Sequence, residues 1–182
     1  MVGGGRKEAK RLNTWGFTDF TVTNLDTQDA ENLTYDNDAF DYAICHAVLH
    51  HCYSPHRAML EMYRVSKKGI VMFEARDSLL MRLAVSLGLP EEYERSAING
   101  DHGGVRNSSI PNFVYRWTER EIIKTIATYD PIREPDIRFF HGFNSSMYWL
   151  ADLTRQGNQL AWCASKNGRV HEWIKPQDNP RT

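Results

Sequence analysis

Hydrophobic positions along the chain change period several times, and each change predicts an element. Phe40 to Cys45 is a short apolar run with polar residues following its carboxyl end, the pattern of a buried strand. From Ser54 the period lengthens, and Ala58, Met59, Met62 and Val65 fall on one helical face. Ser54 at the N-cap and Pro55 at the first helical position mark the helix start. Gly69 after Lys67 and Lys68 reads as its stop. Ile70 to Ala75 is again apolar, so the three segments predict a right-handed βαβ unit.

The flanking segments follow the same logic. Met1 to Gly5 ends in three glycines and leads into a helical run, Arg6 to Asn13. Phe20 to Asp26 alternates and is rich in β-branched residues, which predicts a strand. Asp77 to Leu87 predicts a helix with Leu79, Leu80, Leu83, Ala84 and Leu87 on one face, stopped by Gly88. Ser96 to Ile110, rich in glycine and asparagine, is either a solvent-exposed connection or a lid over a site. Thr118 to Glu121 spells a capping box, opening a helix with Ile122, Ile123, Ile126 and Ala127 inward and an end near Pro131. Ile137 to Phe143 and Leu160 to Ser165 read as strands, and the tail from Lys175 as disorder.

Composition narrows the classes. The 182 residues suit one domain, and 22 basic against 23 acidic residues give a net charge of −1, so nothing favours nucleic acid. Leu79 to Leu89 is short and broken by Arg82, which excludes a membrane span there. The first residues lack the apolar core of a signal peptide. Cys45, Cys52 and Cys163 are odd in number and lack metal-type pairing, so reduced thiols and a cytoplasmic location are expected.

The stretch Asp29 to Gly69 carries Asp29, Ala30, Glu31, Leu33, Tyr35, Asp38, Phe40 and Asp41, then Leu49, His50 and His51. Glu61, Arg64, Val65, Lys67 and Gly69 complete the series. In this order and spacing it resembles the class I S-adenosylmethionine-dependent methyltransferases. Within them it resembles in particular the type 11-like, small-molecule branch related to quinone-biosynthesis C-methyltransferases. Thr34 stands where that branch usually has proline, and Ser66-Lys67-Lys68-Gly69 where L-K-P-G is commoner. The resemblance covers Gly3 to Lys166 and implies an α/β, Rossmann-like sheet, mostly parallel with a C-terminal antiparallel strand. It implies a methyltransferase-like domain over 1–166 and a C-terminal tail over 167–182. In the family a strand and usually one or two helices precede the glycine loop. Only Met1 and Val2 match that strand, so the first central strand is expected to be missing or to lie upstream.

The resemblance also implies roles. Gly3, Gly4 and Gly5 match the loop that cradles the methionine part of the cofactor, and a flexible terminus is the alternative. Asp26 matches the carboxylate that accepts both ribose hydroxyls, with a turn aspartate as the alternative. Asp29 and Ala30 match the segment beside the adenine. His46, at the mouth of the strand Phe40 to Cys45, is a candidate for cofactor contact and for a general base, against a packing role. His51, His102, Arg106 and Asn107 are the candidates on the substrate side. His46, His50 and His51 invite a metal reading, but no carboxylate or cysteine pattern completes a site, so no metal is expected. The expected cofactor is S-adenosylmethionine and the expected partner a small-molecule acceptor, with self-association through unpaired sheet edges as a further expectation. A non-catalytic binding module of the same shape is the competing class. A nicotinamide-dependent oxidoreductase would need a third loop glycine, which Gly3-Gly4-Gly5-Arg6-Lys7-Glu8 lacks.

Overall fold

A computed structural model of the chain describes residues 1–100, 102–142 and 157–175, with Arg6 through its backbone alone. The strands β1 (Phe40–His46), β2 (Ser66–Ala75), β3 (Asp136–Gly142) and β4 (Gln159–Ser165) form one sheet in the order β1-β2-β4-β3. β1 and β2 are parallel, and β4 runs antiparallel to both β2 and β3. That leaves β3 pointing the same way as β1 and β2, with one reversed strand near the carboxyl end of the chain. This is the Rossmann-like mixed sheet with a C-terminal antiparallel strand that the resemblance implies. Phe143 and the tail beyond Lys175 lie outside the described residues.

Between β1 and β2 runs the helix α2 (Pro55–Val65), whose Ala58, Met59, Met62 and Val65 are buried with Tyr63, as their spacing requires. Its end differs from the expectation. Ser66, Lys67 and Lys68 open β2 rather than closing the helix, with Ser66 and Gly69 buried and the two lysines exposed. Gly69 pairs with Ser165 of β4, and a Cβ on it would stand 2.3 Å from the Ala164 carbonyl oxygen. Close approach of β4 selects this glycine, not a helix cap. Ser54 holds the N-cap position without a side-chain cap bond. Its N–H donates instead to Glu31 Oε1, placing a carboxylate at the helix start where the dipole favours it.

The amino-terminal region is held by a short ladder rather than by the expected strand over Phe20 to Asp26. Val2 N–H donates to the Ile44 oxygen at 2.9 Å, and Thr23 N–H to the Met1 oxygen at 2.9 Å. Gly4 N–H returns a bond to the Thr23 oxygen at 2.8 Å. Met1 to Gly4 thus lies between β1 and the Thr23 segment. The alternating run bonds to this segment around Thr21 and Thr23 and then breaks into a turn at Asn24–Thr27. The helix α1 (Arg6–Thr14) then follows the glycines as expected.

Two further helices, α3 (Leu79–Ser86) and the short α4 (Ser96–Gly100), lie between β2 and α5 (Glu119–Tyr129). α3 is capped by the Ser78 hydroxyl, which accepts the Met81 N–H. Its leucine stripe does not enter the core: Leu79 is 72% and Leu83 56% exposed. α5 begins with the predicted capping box at Thr118 and Glu121 and buries Ile122 and Ile126. Ile123 is exposed, one residue off the inward face. The core joins these residues to Ile70, Met72, Leu160 and the ring pair Trp117 and Trp162, whose centroids lie 5.5 Å apart. Among the described residues no helix is long and apolar enough to cross a membrane, and all three cysteines are free.

Candidate active site

At the carboxyl end of β1 opens a cavity of about 530 Å³. Parallel α/β sheets bind ligands at this end, and the volume falls within the range of small-molecule sites. Gly3, Asp26, Asp29, Ala30, His46, His51, Arg106 and Asn107 all line it. Gly4, Gly5 and His102 do not. Gly4 is buried in the ladder to Thr23, Gly5 donates its N–H to Glu8 Oε2 at 2.9 Å, and exposed His102 turns to the Gly100 carbonyl. Glu8, Glu31, Val48 and Cys52 join the lining without having been singled out as binding residues. Glu8, Asp26, Asp29 and Glu31 make the cavity acidic, which favours a cationic ligand.

Each wall has a local cause. Gly3 has φ +66, and a Cβ on it would fall 2.4 Å from both Val48 methyls, so only glycine lets the amino-terminal segment pass the loop after β1. Asp29 shapes its own turn by accepting the Glu31 N–H at 3.0 Å, while the Asp29 carbonyl accepts the Asn32 N–H. Arg64 of α2 donates to the Leu33 and Tyr35 carbonyls at 2.8 and 2.9 Å, and Glu61 accepts the Leu33 N–H at 3.0 Å. The paired Glu61 and Arg64 therefore fasten the acidic segment to the helix, a structural reason for both residues. Asp26 is exposed, and its carboxylate accepts one side-chain bond, from Asn24 Nδ2 at 3.3 Å. Most of its lone pairs stay available.

The loop from β1 to α2 is organised by a residue that the sequence did not reveal. Glu74, at the end of β2, is 1% exposed. Its Oε1 accepts the Val48 and Leu49 N–H groups, both at 2.8 Å, and its Oε2 meets His50 Nδ1 at 2.8 Å. Burial depresses the His50 imidazole, but the hydrogen bond and charge of Glu74, joined by Glu94, outweigh it and leave its pKa raised. His51 moves the other way, lowered by burial and then by neighbouring His50. Cys52 is pushed up to about 12 by burial and by the charges of Glu31 and Asp29, so it stays a thiol at neutral pH.

Across the cavity the loop after α4 is docked rather than open. Arg106 Nη2 lies 2.9 Å from Asp29 Oδ2, and Nη1 lies 3.8 Å from Glu31 Oε2. Arg106 and Asn107 have φ 49 and 58, a left-handed pair folded into a tight turn closed by Val105 N–H to the Ile110 oxygen at 2.8 Å. A partly exposed ion pair of this kind is worth up to about 1 kcal/mol. Arg106→Ala is therefore expected to raise amide exchange over residues 103–107 by up to about fivefold, while β1 amides stay protected. Unchanged exchange would show that the turn bonds alone hold the loop.

Comparison with known proteins agrees with this architecture. Residues 5–73 match the family model described as a methyltransferase domain. A putative methyltransferase from Bacillus halodurans superposes with TM-score 0.51 at 16% identity, covering 85% of each chain. The fold is that of a class I methyltransferase. The YcgJ protein of Bacillus subtilis gives TM-score 0.51 at 10% identity over 92% of this chain and 82% of its own. A possible histamine N-methyltransferase from Thermotoga maritima gives 0.49 at 17% identity over 91% and 72%. Among curated proteins, none matches the chain. The family match of this methyltransferase-like domain runs from the last loop glycine to Phe73 in β2, so it includes Asp26, the acidic turn, β1 and α2.

Proposed function

We propose that this methyltransferase-like domain transfers a methyl group from S-adenosylmethionine to a small-molecule acceptor. The observation that carries the reading is the convergence of Gly3, Asp26, Asp29, Ala30 and His46 on one acidic cavity at the end of β1. The donor set fits the cofactor. Asp26 offers an exposed carboxylate to two vicinal hydroxyls, Asp29 offers one to an exocyclic amine, and Ala30 keeps the adjoining wall apolar. Glu8 and Glu31 add negative charge, which suits a sulfonium cation. The bound sulfonium supplies the activated methyl. The protein's task is then alignment and water exclusion, with little acid–base work. The loop bearing Arg106 and Asn107 covers the cavity, and His46 stands at its rim to take a proton from the acceptor.

Saturating S-adenosylhomocysteine tests the reading directly. At a hundredfold excess over Kd a ligand specific for the folded state adds about 2.7 kcal/mol of stability. A chain of this size should then melt roughly 5–10 °C higher, with one equivalent bound by calorimetry. An unmoved melting curve with no binding heat would refute the assignment.

A further inference from the structure

Beyond the proposed cofactor cradle, three side chains converge from two distant parts of the chain. His50 Nε2 lies 3.7 Å from Glu94 Oε1, and His51 Nδ1 lies 3.9 Å from Glu94 Oε2. One ligating atom from each residue lies within 4.8 Å of the other two. These contacts are too long for hydrogen bonds. The Glu74 carboxylate at His50 Nδ1 calls for the proton on that nitrogen, which leaves Nε2, facing Glu94, as the ring atom a cation can take in place of a proton. His51 Nδ1 is buried without a hydrogen-bond partner among the described residues, while the Gly104 backbone engages the ring elsewhere. The unpartnered His51 Nδ1 faces the Glu94 carboxylate, and a cation between them gives both a partner.

We propose that His50, His51 and Glu94 bind a divalent transition metal, with zinc the best match to two imidazoles and a carboxylate. Tetrahedral bonds of about 2.0–2.1 Å put ligand atoms roughly 3.4 Å apart, so the 3.7 and 3.9 Å contacts to the two Glu94 oxygens are near that spacing. The set, spread over no more than 4.8 Å, closes on a metal through side-chain rotation. Glu74 supplies the carboxylate behind a histidine ligand that fixes its tautomer in built metal sites. Glu94 is the carboxylate that the local sequence around the histidines lacks; it arrives from the segment between α3 and α4. Three protein ligands leave a coordination position for water or a substrate oxygen. His51 also lines the cavity, so that position belongs to the acceptor side of the site. This last step rests on the methyl-transfer reading; metal binding itself does not.

The test uses the full chain stripped of metal with chelator and titrated with Zn2+ alone, then with Co2+ as a spectroscopic probe. One equivalent should bind, with the visible absorption of four-coordinate Co2+. Glu94→Gln and His51→Ala should each weaken binding by at least ~10-fold, the lower bound for partners behind metal ligands. The Glu94 side chain is 35% exposed, so its substitution leaves the core intact. In the unaltered chain, histidine 15N spectra should show two imidazoles shifting together on adding Zn2+. Absence of stoichiometric binding, or wild-type affinity in Glu94→Gln, overturns the site. So does a His50 ring protonated on both nitrogens and indifferent to Zn2+, which would make it a cationic bridge between Glu74 and Glu94. S-adenosylhomocysteine binding to the metal-free chain is scored separately, so failure of either reading shows without the other.

Discussion

Glu74→Ala is expected to lower the melting temperature by roughly 10 °C. The carboxylate is fully enclosed and serves as acceptor for two backbone N–H groups, of Val48 and Leu49, and for the His50 ring. Alanine leaves the buried Leu49 and His50 donors and the half-buried Val48 N–H without it. An unsatisfied buried donor costs about 1–3 kcal/mol, so a total near 3–5 kcal/mol follows if the loop relaxes in part. Each kcal/mol moves the midpoint of a chain this long by about 2–4 °C. Glu74→Gln keeps the shape and one acceptor oxygen, and it should recover part of the loss. The loop also carries Val48, which presses on Gly3, so the same substitution should slacken the cavity wall and weaken S-adenosylhomocysteine binding. Scanning calorimetry of the two variants decides. A midpoint within 2 °C of wild type would show that the donors find other partners and that Glu74 organises nothing.

What could be read from the sequence was local in origin. β1, α2 and α5 follow from periodicity and caps, which depend on residues within a few positions of each other. The features that escaped depend on distant partners. The leucines of α3 were placed on one face correctly, but periodicity defines a face without saying what covers it. Lys67-Lys68-Gly69 has the composition of a helix end, yet Gly69 answers to the Ala164 carbonyl of a strand much later in the chain. Phe20 to Asp26 has the alternation of a strand, yet it bonds to Met1–Gly4 only around Thr21 and Thr23 before turning at Asn24–Thr27. Of the residues that line the cavity, Gly3, Asp26, Asp29 and His46 were singled out through the family spacing. Glu74 and Glu94 were not, because a lone glutamate acquires its meaning only from the histidines that the fold brings to it. Hydrogen bonding at Gly100 likewise takes His102 away from the cavity, which no local pattern signals.

Asp26→Ala should weaken S-adenosylhomocysteine binding by about 1.5–3 kcal/mol, tenfold or more, while leaving the melting temperature of the free chain unchanged. The pairing of these two outcomes gives the experiment its force. Asp26 is exposed, and its carboxylate has a single long bond from Asn24, so its removal should cost the fold no more than about 0.5 kcal/mol. Any large loss of affinity must then come from the ligand's hydroxyls. Asp29 makes the contrasting case: it accepts the Glu31 N–H and pairs with Arg106, so Asp29→Ala would disturb the turn and the covering loop together with any contact to the adenine. Asp26→Asn retains one acceptor oxygen without the charge and should fall between wild type and alanine. Calorimetric titration of the three proteins gives the order. Equal affinity across them would return Asp26 to the role of a turn residue, and the ribose would have to be held by backbone groups of the Asn24–Thr27 turn instead.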